Sequence, residues 1–271
     1  MLQNLHTHTT LCDGKHTPRQ VVETAIAKGF DSIGFSCHAK TEANSDCEVK
    51  DVDEYINTIE NLKKEYEGRL EIFTGCELDY FSKGLMPLEK FDYKIGSVHA
   101  ARLDTGEFID FDYSPEVSFS HVKDLFGGDG IAYAELYYKT LATLPDRFDF
   151  DFFGHFDLIT KFTETCPGLI DTESKRYKNA ALEALHAVKT RCEFFEINTG
   201  AIARGRRSAP YPAPFILDET KALNCKLILT SDCHNADLLD YHFKEAKEYL
   251  KSHGVADIYF LTQNGFVGER I

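Results

Sequence analysis

The chain has 271 residues, of which 43% are hydrophobic and 27% are charged, and these ordinary globular values exclude a disordered or fibrous chain. Its 30 Lys and Arg residues against 44 Asp and Glu residues give a formal net charge of −14. Such an acidic surface disfavours a protein that tracks nucleic acid phosphates or docks on anionic membranes. We therefore expect neither nucleic acid nor a membrane among its partners.

The first residues, MLQNLHTHTT, are polar and lack the apolar segment of a secretory signal. Apolar runs stay well short of the roughly 18 residues that a membrane-spanning helix needs. The eight cysteines include no C-x-x-C pair, and a chain of this length does not need a disulfide framework. These features predict a cytoplasmic protein whose thiols are reduced.

Short apolar runs alternate with amphipathic segments in chain order. The runs predict strands at residues 2–8, 32–36, 71–78, 93–99, 150–155, 193–198 and 226–230. Thr17 followed by Pro18 predicts the start of the first helix, and Gly29 predicts its end. Apolar residues at three-and-four spacing predict further helices through 52–62 and 180–188.

This alternation favours an α/β fold with mainly parallel strands. Seven βα units without a linker or internal repeat predict a single domain over residues 1–271, either a barrel or a large open sheet. Segments 108–130 and 203–214 are expected to be long βα loops. Asn235 is expected to cap a final helix that continues to Gly254. In barrels of parallel strands, the chemistry lies at the carboxyl ends of the strands.

Polar residues that bind metal ions follow the ends of the predicted strands. His6 and His8 end the first run, and alternate residues of a strand share one face, so both imidazoles point the same way. The other candidates are Asp13, His38, Glu77, His99, His155, Asp232 and His234. A single histidine after a strand is usually a core or rim side chain, so the prediction depends on their joint placement. Burying nine such groups without a cation would leave polar atoms unpaired, at several kcal/mol each.

Nine groups exceed what one ion uses, which predicts more than one ion. Imidazole and carboxylate ligands without thiolate suit Zn, Mn or Fe. Divalent ions would make the pocket locally positive within an acidic protein, as a small phosphate ester requires. Lys161 and Arg204 are the candidates for binding the phosphate, with Arg206 and Arg207 as reserve candidates. His16, three residues beyond Asp13, remains an alternative ligand at that position.

The whole set resembles the polymerase and histidinol phosphatase (PHP) superfamily. The resemblance covers H-x-H at 6–8, D-G at 13–14, the single His and Glu residues at strand ends, and D-x-H at 232–234, in order along essentially the whole chain. Within the superfamily, five motifs are most similar to the monofunctional L-histidinol-phosphate phosphatases: GCELDY (75–80), GSVH (96–99), GHFDLITKF (154–162), EINTGAIARG (196–205) and TSDCH (230–234).

The resemblance implies a PHP fold, a distorted, TIM-barrel-like (β/α)7 barrel with a site for three divalent ions. Its three ligand sets, carried over by position, are His6, His8, Glu77 and Asp232 for one ion, Glu77, His99 and His155 for a second, and Asp13, His38 and His234 for the third. The superfamily often has histidine where Asp13 stands, so the metal preference there stays open.

The resemblance also implies the reaction. L-Histidinol phosphate would be hydrolysed to L-histidinol and inorganic phosphate in histidine biosynthesis, by a metal-bound hydroxide that attacks phosphorus. Asp232, Glu77 and His234 would be the catalytic residues. The alternatives are a PHP phosphoesterase for phosphotyrosine or small nucleotide esters, and a non-catalytic metal-binding regulatory protein. The native metal, the oligomeric state and the acid that protonates the leaving group stay open.

Overall fold

A computed structural model describes residues 1–43 and 46–271 of the chain. The strands are β1 (Gln3–Asn4), β2 (Ser32–Phe35), β3 (Glu71–Asp79), β4 (Tyr93–Ser97), β5 (Ala100–Arg102), β6 (Phe108–Asp110), β7 (Phe152–Phe153), β8 (Phe194–Asn198), β9 (Lys226–Thr230), β10 (Asp257–Thr262) and β11 (Gly265–Arg270). The helices are α1 (Pro18–Ala27), α2 (Val52–Glu65), α3 (Pro115–Leu125), α4 (Gly130–Ala142), α5 (Lys175–Lys189), α6 (Gly200–Ala203), α7 (Pro214–Ala222) and α8 (Phe243–Ser252).

Seven of the strands form one parallel sheet, in the order β1-β2-β3-β4-β7-β8-β9. The two edge strands of this sheet are β1 and β9. Just beyond their carboxyl ends, Thr7 forms a parallel bridge with Cys233. There the His8 N–H donates to the Cys233 carbonyl at 2.8 Å, and the Cys233 N–H donates to the His6 carbonyl at 2.9 Å. The bridge brings the edges together, so the sheet forms a nearly closed barrel. The structure confirms the predicted seven-stranded β/α barrel.

The first helix begins and ends where its sequence predicts. Thr17 caps α1: its side chain accepts from the Gln20 N–H, and the Gln20 side chain accepts from the Thr17 N–H. Pro18 fits the first helical position because the missing N–H would have no partner there. Gly29 follows the helix end with a φ of 77°. The apolar face predicted for 52–62 is the buried face of α2.

Tyr93 fills the barrel at the start of β4. Its side chain is fully buried, and its hydroxyl donates a hydrogen bond shared by the carbonyl oxygens of Leu5 (2.5 Å) and Phe35 (3.1 Å). A side chain at Gly34 or Gly75 would overlap the Tyr93 ring. These two glycines therefore leave the space that the ring occupies, beneath the carboxyl ends of the strands.

Two sequence predictions about connections are wrong. The 108–130 segment contains β6, which pairs antiparallel with β5, and the helix α3. The final helix is interrupted: Asn235 caps a 3₁₀ turn at Ala236–Leu238, and α8 begins only at Phe243. His242 breaks the helical path because it adopts the left-handed conformation, with a φ of 58°.

The loop predicted around 203–214 is present between α6 and α7. The antiparallel β10–β11 hairpin had no counterpart in the prediction. It contacts the barrel through Gln3, whose side chain donates to the Leu261 carbonyl and accepts from the Leu261 N–H, both at 2.9 Å. All eight cysteines are free in the structure. Among the described helices, none is long and apolar enough to cross a membrane.

Candidate metal centre

The nine side chains predicted as metal ligands lie together at the carboxyl ends of the barrel strands. Glu77 belongs to β3, and the others follow β1, β2, β4, β7 and β9 in the loops beyond the strand ends. Their ligand atoms form four overlapping groups, with distances within each group of at most 4.8 Å: His8, Asp13, His38 and His234; His6, His8 and Asp232; His6, Glu77 and His155; His38, Glu77 and His99. Because the groups share members, the arrangement suits several neighbouring ions better than one.

Glu77 lies at the centre of the cluster and is 1% exposed. Imidazole nitrogens approach both of its carboxylate oxygens. Near Oε2 they are His6 Nε2 (3.1 Å), His8 Nε2 (3.4 Å) and His38 Nδ1 (3.0 Å), and near Oε1 they are His155 Nε2 (3.0 Å) and His99 Nε2 (3.4 Å). A carboxylate whose two oxygens face different sets of imidazoles can bridge two ions.

Three buried atoms at this centre test whether the residues fit a cation. Among the described residues, His6 Nε2, His8 Nε2 and Glu77 Oε2 have no hydrogen-bond partner, although they lie 3.1–3.4 Å from one another across the two His–Glu pairs. The atoms therefore face a shared space instead of forming hydrogen bonds to each other. Buried polar atoms without a partner cost several kcal/mol, whereas they are favourable ligands for a divalent ion. The residues fit the ion.

The buried charges of the cluster stabilise one another. Burial disfavours the charged form of His6, but the carboxylates of Glu196, Glu77 and Asp232 outweigh burial and raise its pKa to about 10. Burial likewise disfavours the Glu77 carboxylate, yet the surrounding imidazoles hold its pKa well below the usual range. Protons therefore compete with metal ions for the same imidazole nitrogens.

Glu196 is a functional candidate that the sequence analysis missed. It is fully buried in β8. Its Oε1 lies 2.6 Å from His6 Nδ1 and accepts from the Thr230 hydroxyl at 2.5 Å, while its Oε2 accepts from the His155 N–H at 2.5 Å. Carboxylates that hold the second ring nitrogen of a histidine fix its orientation toward a metal. One feature of the sequence could have identified Glu196, namely that this carboxylate lies between two apolar residues, Phe195 and Ile197, of a predicted strand.

Two other ligand histidines also have partners behind the ring. The His99 backbone N–H donates to Asp79 Oδ2 at 3.0 Å, and its ring Nδ1 lies 3.4 Å from the same oxygen. His8 Nδ1 lies 3.7 Å from the Cys12 sulfur. Neither Asp79 nor Cys12 was predicted to take part in the site. Asp79 lies two residues after the predicted ligand Glu77, and Cys12 directly precedes the predicted ligand Asp13.

Lys161 and Arg204, the predicted phosphate-binding residues, line a cavity of about 330 Å³ together with most of the cluster. Lys161 Nζ lies 2.7 Å from Asp112 Oδ2. Arg204 Nη2 lies 2.7 Å from Asp232 Oδ2, so this cation adjoins a candidate ligand directly. Both cations are therefore placed at the rim of the cluster by carboxylates.

The reserve candidates occupy different surroundings. Arg206 lies over the Phe162 ring at 5.5 Å. Arg207 contacts the Thr160 hydroxyl and lies over the Tyr211 ring at 4.5 Å, with a side chain only 7% exposed. His16 lies outside the four groups, and its Nδ1 accepts a hydrogen bond from the Ala236 N–H at 3.2 Å.

The barrel and this cluster define the class of protein. The chain belongs to the PHP domain family, since the model of that family matches residues 4–200. The remaining residues supply β9, Asp232 and His234, which complete both the barrel and the cluster.

Curated relatives cover nearly the whole chain. It is 28% identical over 261 residues to the histidinol-phosphatase of Bacillus subtilis, a match that covers 88% of this chain and 96% of the relative. It is 27% identical over 269 residues to a probable histidinol-phosphatase of Deinococcus radiodurans, covering 94% and 95%. It is also 27% identical to a probable histidinol-phosphatase of Schizosaccharomyces pombe, covering 88% and 81%.

Solved structures share the fold. The histidinol phosphate phosphatase of Lactococcus lactis, complexed with zinc, L-histidinol and phosphate, superposes with a TM-score of 0.74 at 20% identity, covering 98% of both chains. A putative histidinol phosphatase of Listeria monocytogenes superposes with a TM-score of 0.73 at 22% identity, covering 90% of this chain and 99% of that one. These likenesses confirm the fold predicted from the sequence.

Proposed function

We propose that this protein is a metal-dependent phosphatase that hydrolyses L-histidinol phosphate to L-histidinol and inorganic phosphate in histidine biosynthesis. The convergence of nine imidazole and carboxylate groups in one cluster, most of which line a cavity together with two cations, carries this proposal. The names of the three curated relatives support the substrate. A Lactococcus structure of the same fold contains zinc, L-histidinol and phosphate, and supports it further. Residues 1–271 act as one catalytic domain in the cytoplasm.

Three divalent ions (Zn, Mn or Fe) are held by three ligand sets: His6, His8, Glu77 and Asp232; Glu77, His99 and His155; Asp13, His38 and His234. The first two sets are supported by the imidazoles near Glu77, because His6 and His8 approach its Oε2, and His99 and His155 approach its Oε1. His38 of the third set also approaches Oε2, at 3.0 Å. The third agrees with Asp13 Oδ2, which lies 3.2 Å from His234 Nε2 and 3.8 Å from His38 Nε2.

When bound, divalent ions supply a water of lowered pKa and positive charge toward the phosphoryl oxygens. Glu77, Asp232 and His234 hold the cluster in place, and so position the substrate phosphorus relative to the attacking water. Arg204 and Lys161 offer N–H donors to the phosphoryl oxygens, whose charge must be offset as the ester bond breaks. The cavity of about 330 Å³ suits a small ester better than a polymer.

Phosphate release tests this function directly. The purified protein with Mn²⁺ or Zn²⁺ would be assayed on L-histidinol phosphate, phosphotyrosine, p-nitrophenyl phosphate and a nucleoside monophosphate. We expect kcat/KM for L-histidinol phosphate to exceed the others by at least about tenfold. A smaller preference would identify a PHP phosphoesterase of another specificity.

The Asp232→Asn variant serves as the catalytic control. It removes a carboxylate that belongs to the first ligand set, so we expect at least about a hundredfold loss of kcat/KM. The matched control is Asp53→Asn, because the Asp53 side chain is 78% exposed on α2, outside the cavity. Equal rates for wild type and Asp232→Asn would favour the non-catalytic regulatory protein.

A further inference from the structure

Two thiols lie in contact behind the metal centre. The Cys12 and Cys37 sulfurs are 2.6 Å apart. Carbon atoms in van der Waals contact are separated by about 3.5–4.0 Å, whereas disulfide sulfurs are about 2.05 Å apart. Only about half an ångström of movement therefore separates these thiols from bonding distance. Cys12 is 9% exposed and Cys37 is fully buried.

Both thiols are directly connected to candidate metal ligands. Cys12 precedes Asp13, and Cys37 precedes His38. These two ligands belong to one group together with His8 and His234. A bond between the sulfurs would therefore join the loops after β1 and β2 at the positions that present two ligands of the same ion.

Neighbouring cysteines make other contacts. The Cys76 sulfur faces the Cys37 carbonyl at 3.7 Å, and the Cys233 sulfur faces the Asn235 carbonyl at 3.0 Å. Within the described part of the chain, the structure gives a direct sulfur–sulfur contact for the Cys12–Cys37 pair. This pair is therefore the one positioned to react.

We propose that Cys12 and Cys37 are a redox modification site, which a peroxide oxidises to a reversible disulfide that weakens the metal group containing Asp13 and His38. The Cys12 sulfur, the more exposed of the two, attacks one peroxide oxygen. The O–O bond breaks, and water leaves with the thiol proton. The Cys37 sulfur then displaces the hydroxyl of the resulting sulfenic acid, which leaves as a second water. Two thiols are oxidised, and one peroxide is reduced to two waters.

The disulfide affects the metal ligands in two ways. It replaces the Cys12 thiol, which contacts His8 Nδ1 at 3.7 Å, with a sulfur that has no hydrogen to share. It also draws the Asp13 and His38 loops toward each other. Loss of support behind ligands costs about 10–100-fold in metal affinity, and we expect a loss in that range for this group.

The experiment uses the zinc-loaded protein of 271 residues, treated with hydrogen peroxide. Remaining thiols would be alkylated, the protein digested, and the peptides weighed by mass spectrometry, with released zinc measured in parallel. We expect one cross-linked peptide pair joining Cys12 to Cys37, together with zinc release. Tris(2-carboxyethyl)phosphine and fresh zinc should reverse both changes.

Two variants make the result specific. Cys37→Ser should form no such cross-link and should retain its zinc under peroxide. Cys192→Ser removes a cysteine that contacts backbone carbonyls elsewhere, and should respond as the wild type does. Absence of the cross-link in wild type overturns the proposal, and so does equal zinc release from wild type and Cys37→Ser.

The peptide masses do not depend on the proposed function, whereas any fall in phosphate release on oxidation does depend on it. A protein that cross-links reversibly but hydrolyses none of the esters would refute the phosphatase and retain the disulfide. A phosphatase whose peptides show no Cys12–Cys37 cross-link would refute the disulfide alone.

Discussion

His6 illustrates how a single ligand is fixed on both sides of its ring. Its Nε2 faces Glu77 and Asp232, and its Nδ1 lies 2.6 Å from Glu196. The carboxylate of Glu196 favours a proton on Nδ1, so in the neutral ring, the form that binds a metal ion, the Nε2 lone pair is directed at the shared space. The orientation of His6 therefore depends on a residue that does not itself face the proposed ions.

The Glu196→Gln variant tests this dependence. Glutamine has nearly the same shape, but its NH₂ group cannot accept the hydrogen bonds that one Glu196 oxygen accepts. We expect zinc affinity to fall about 10–100-fold, as measured by competition with a chelator of known affinity. The control is Glu193→Gln, just before the same strand, whose side chain is 49% exposed beside Lys226. An unchanged affinity in Glu196→Gln would contradict the positioning role.

Arg204 provides a test of phosphate binding. Removing one donor that faces developing charge costs about 10²–10³ in kcat, and we expect Arg204→Gln to lose kcat/KM in that range on L-histidinol phosphate. Steady-state kinetics with saturating metal separates this effect from metal loss. Arg191→Gln is the matched control because Arg191 is 56% exposed and pairs with Asp146 away from the cavity. Similar kinetics for the Arg204 and Arg191 variants would remove Arg204 from the site.

The sequence predicted the nine ligand candidates because each lies at or beyond the carboxyl end of a predicted strand, and parallel strands bring these ends to one rim. Glu196 could not be placed in the same way. Its role comes from contacts between strands: from β8 it meets His155 beyond β7, Thr230 of β9 and His6 beyond β1. The order of strands around a barrel, which creates these contacts, is only indirectly encoded in local patterns.

At the scale of elements, Tyr93 joins three strands of the barrel. Its hydroxyl, at the start of β4, reaches the Leu5 carbonyl beyond β1 and the Phe35 carbonyl at the end of β2. Gly34 and Gly75 leave room for the ring. Two glycines therefore make room for a tyrosine inside the parallel barrel, and two carbonyl oxygens accept the hydrogen bond that its hydroxyl donates.

The Tyr93→Phe variant should destabilise the fold without changing its shape. Removing the hydroxyl leaves a buried carbonyl group without its donor, which costs about 1–3 kcal/mol. Urea unfolding followed by circular dichroism measures this free energy. Tyr113→Phe is the control, since Tyr113 is 67% exposed and should unfold as the wild type does. Equal unfolding midpoints for the two variants would contradict the importance of the buried hydroxyl.

The ends of the helices show which local sequence signals are sufficient to predict an element and which are not. The capping pair of Thr17 and Gln20 fixes the start of α1 from neighbouring residues alone. The segment after Asn235 has apolar residues at helical spacing, yet His242 takes a left-handed conformation that divides it. The β10–β11 hairpin carries an Asn264-Gly265 turn signal, but β11 is mostly exposed, so the buried apolar residues of the hairpin come from β10.

At the scale of the whole molecule, two opposite electrostatic requirements meet. The chain has a formal net charge of −14, yet its cavity must receive an anionic ester. Three carboxylates of the cluster, Asp13, Glu77 and Asp232, are ligand candidates, so bound divalent ions would more than neutralise them. Substrate affinity in the proposed reaction thus depends on the ions, because the protein alone offers mainly negative charge around the cavity.

The thermal stability of the protein should also depend on bound divalent ions. Atoms such as His6 Nε2 and Glu77 Oε2 are buried without hydrogen-bond partners among the described residues, so an ion that binds them stabilises the folded state selectively. An ion at a hundred times its Kd contributes about 2.7 kcal/mol. For a chain of this size, each kcal/mol shifts Tm by about 2–4 °C. We therefore expect dialysis against a chelator to lower Tm by roughly 5–10 °C.

Differential scanning fluorimetry measures this change, with zinc added back after dialysis to restore the original Tm. Asp232→Asn should respond less to zinc, since it lacks one ligand, whereas Asp53→Asn should respond as the wild type does. This comparison separates binding at the cluster from zinc that associates with other acidic surface groups, which both variants retain. A wild-type Tm that is insensitive to the chelator and to added zinc would contradict selective binding of the ions to the folded barrel. An equal response in Asp232→Asn would place the stabilising ion elsewhere.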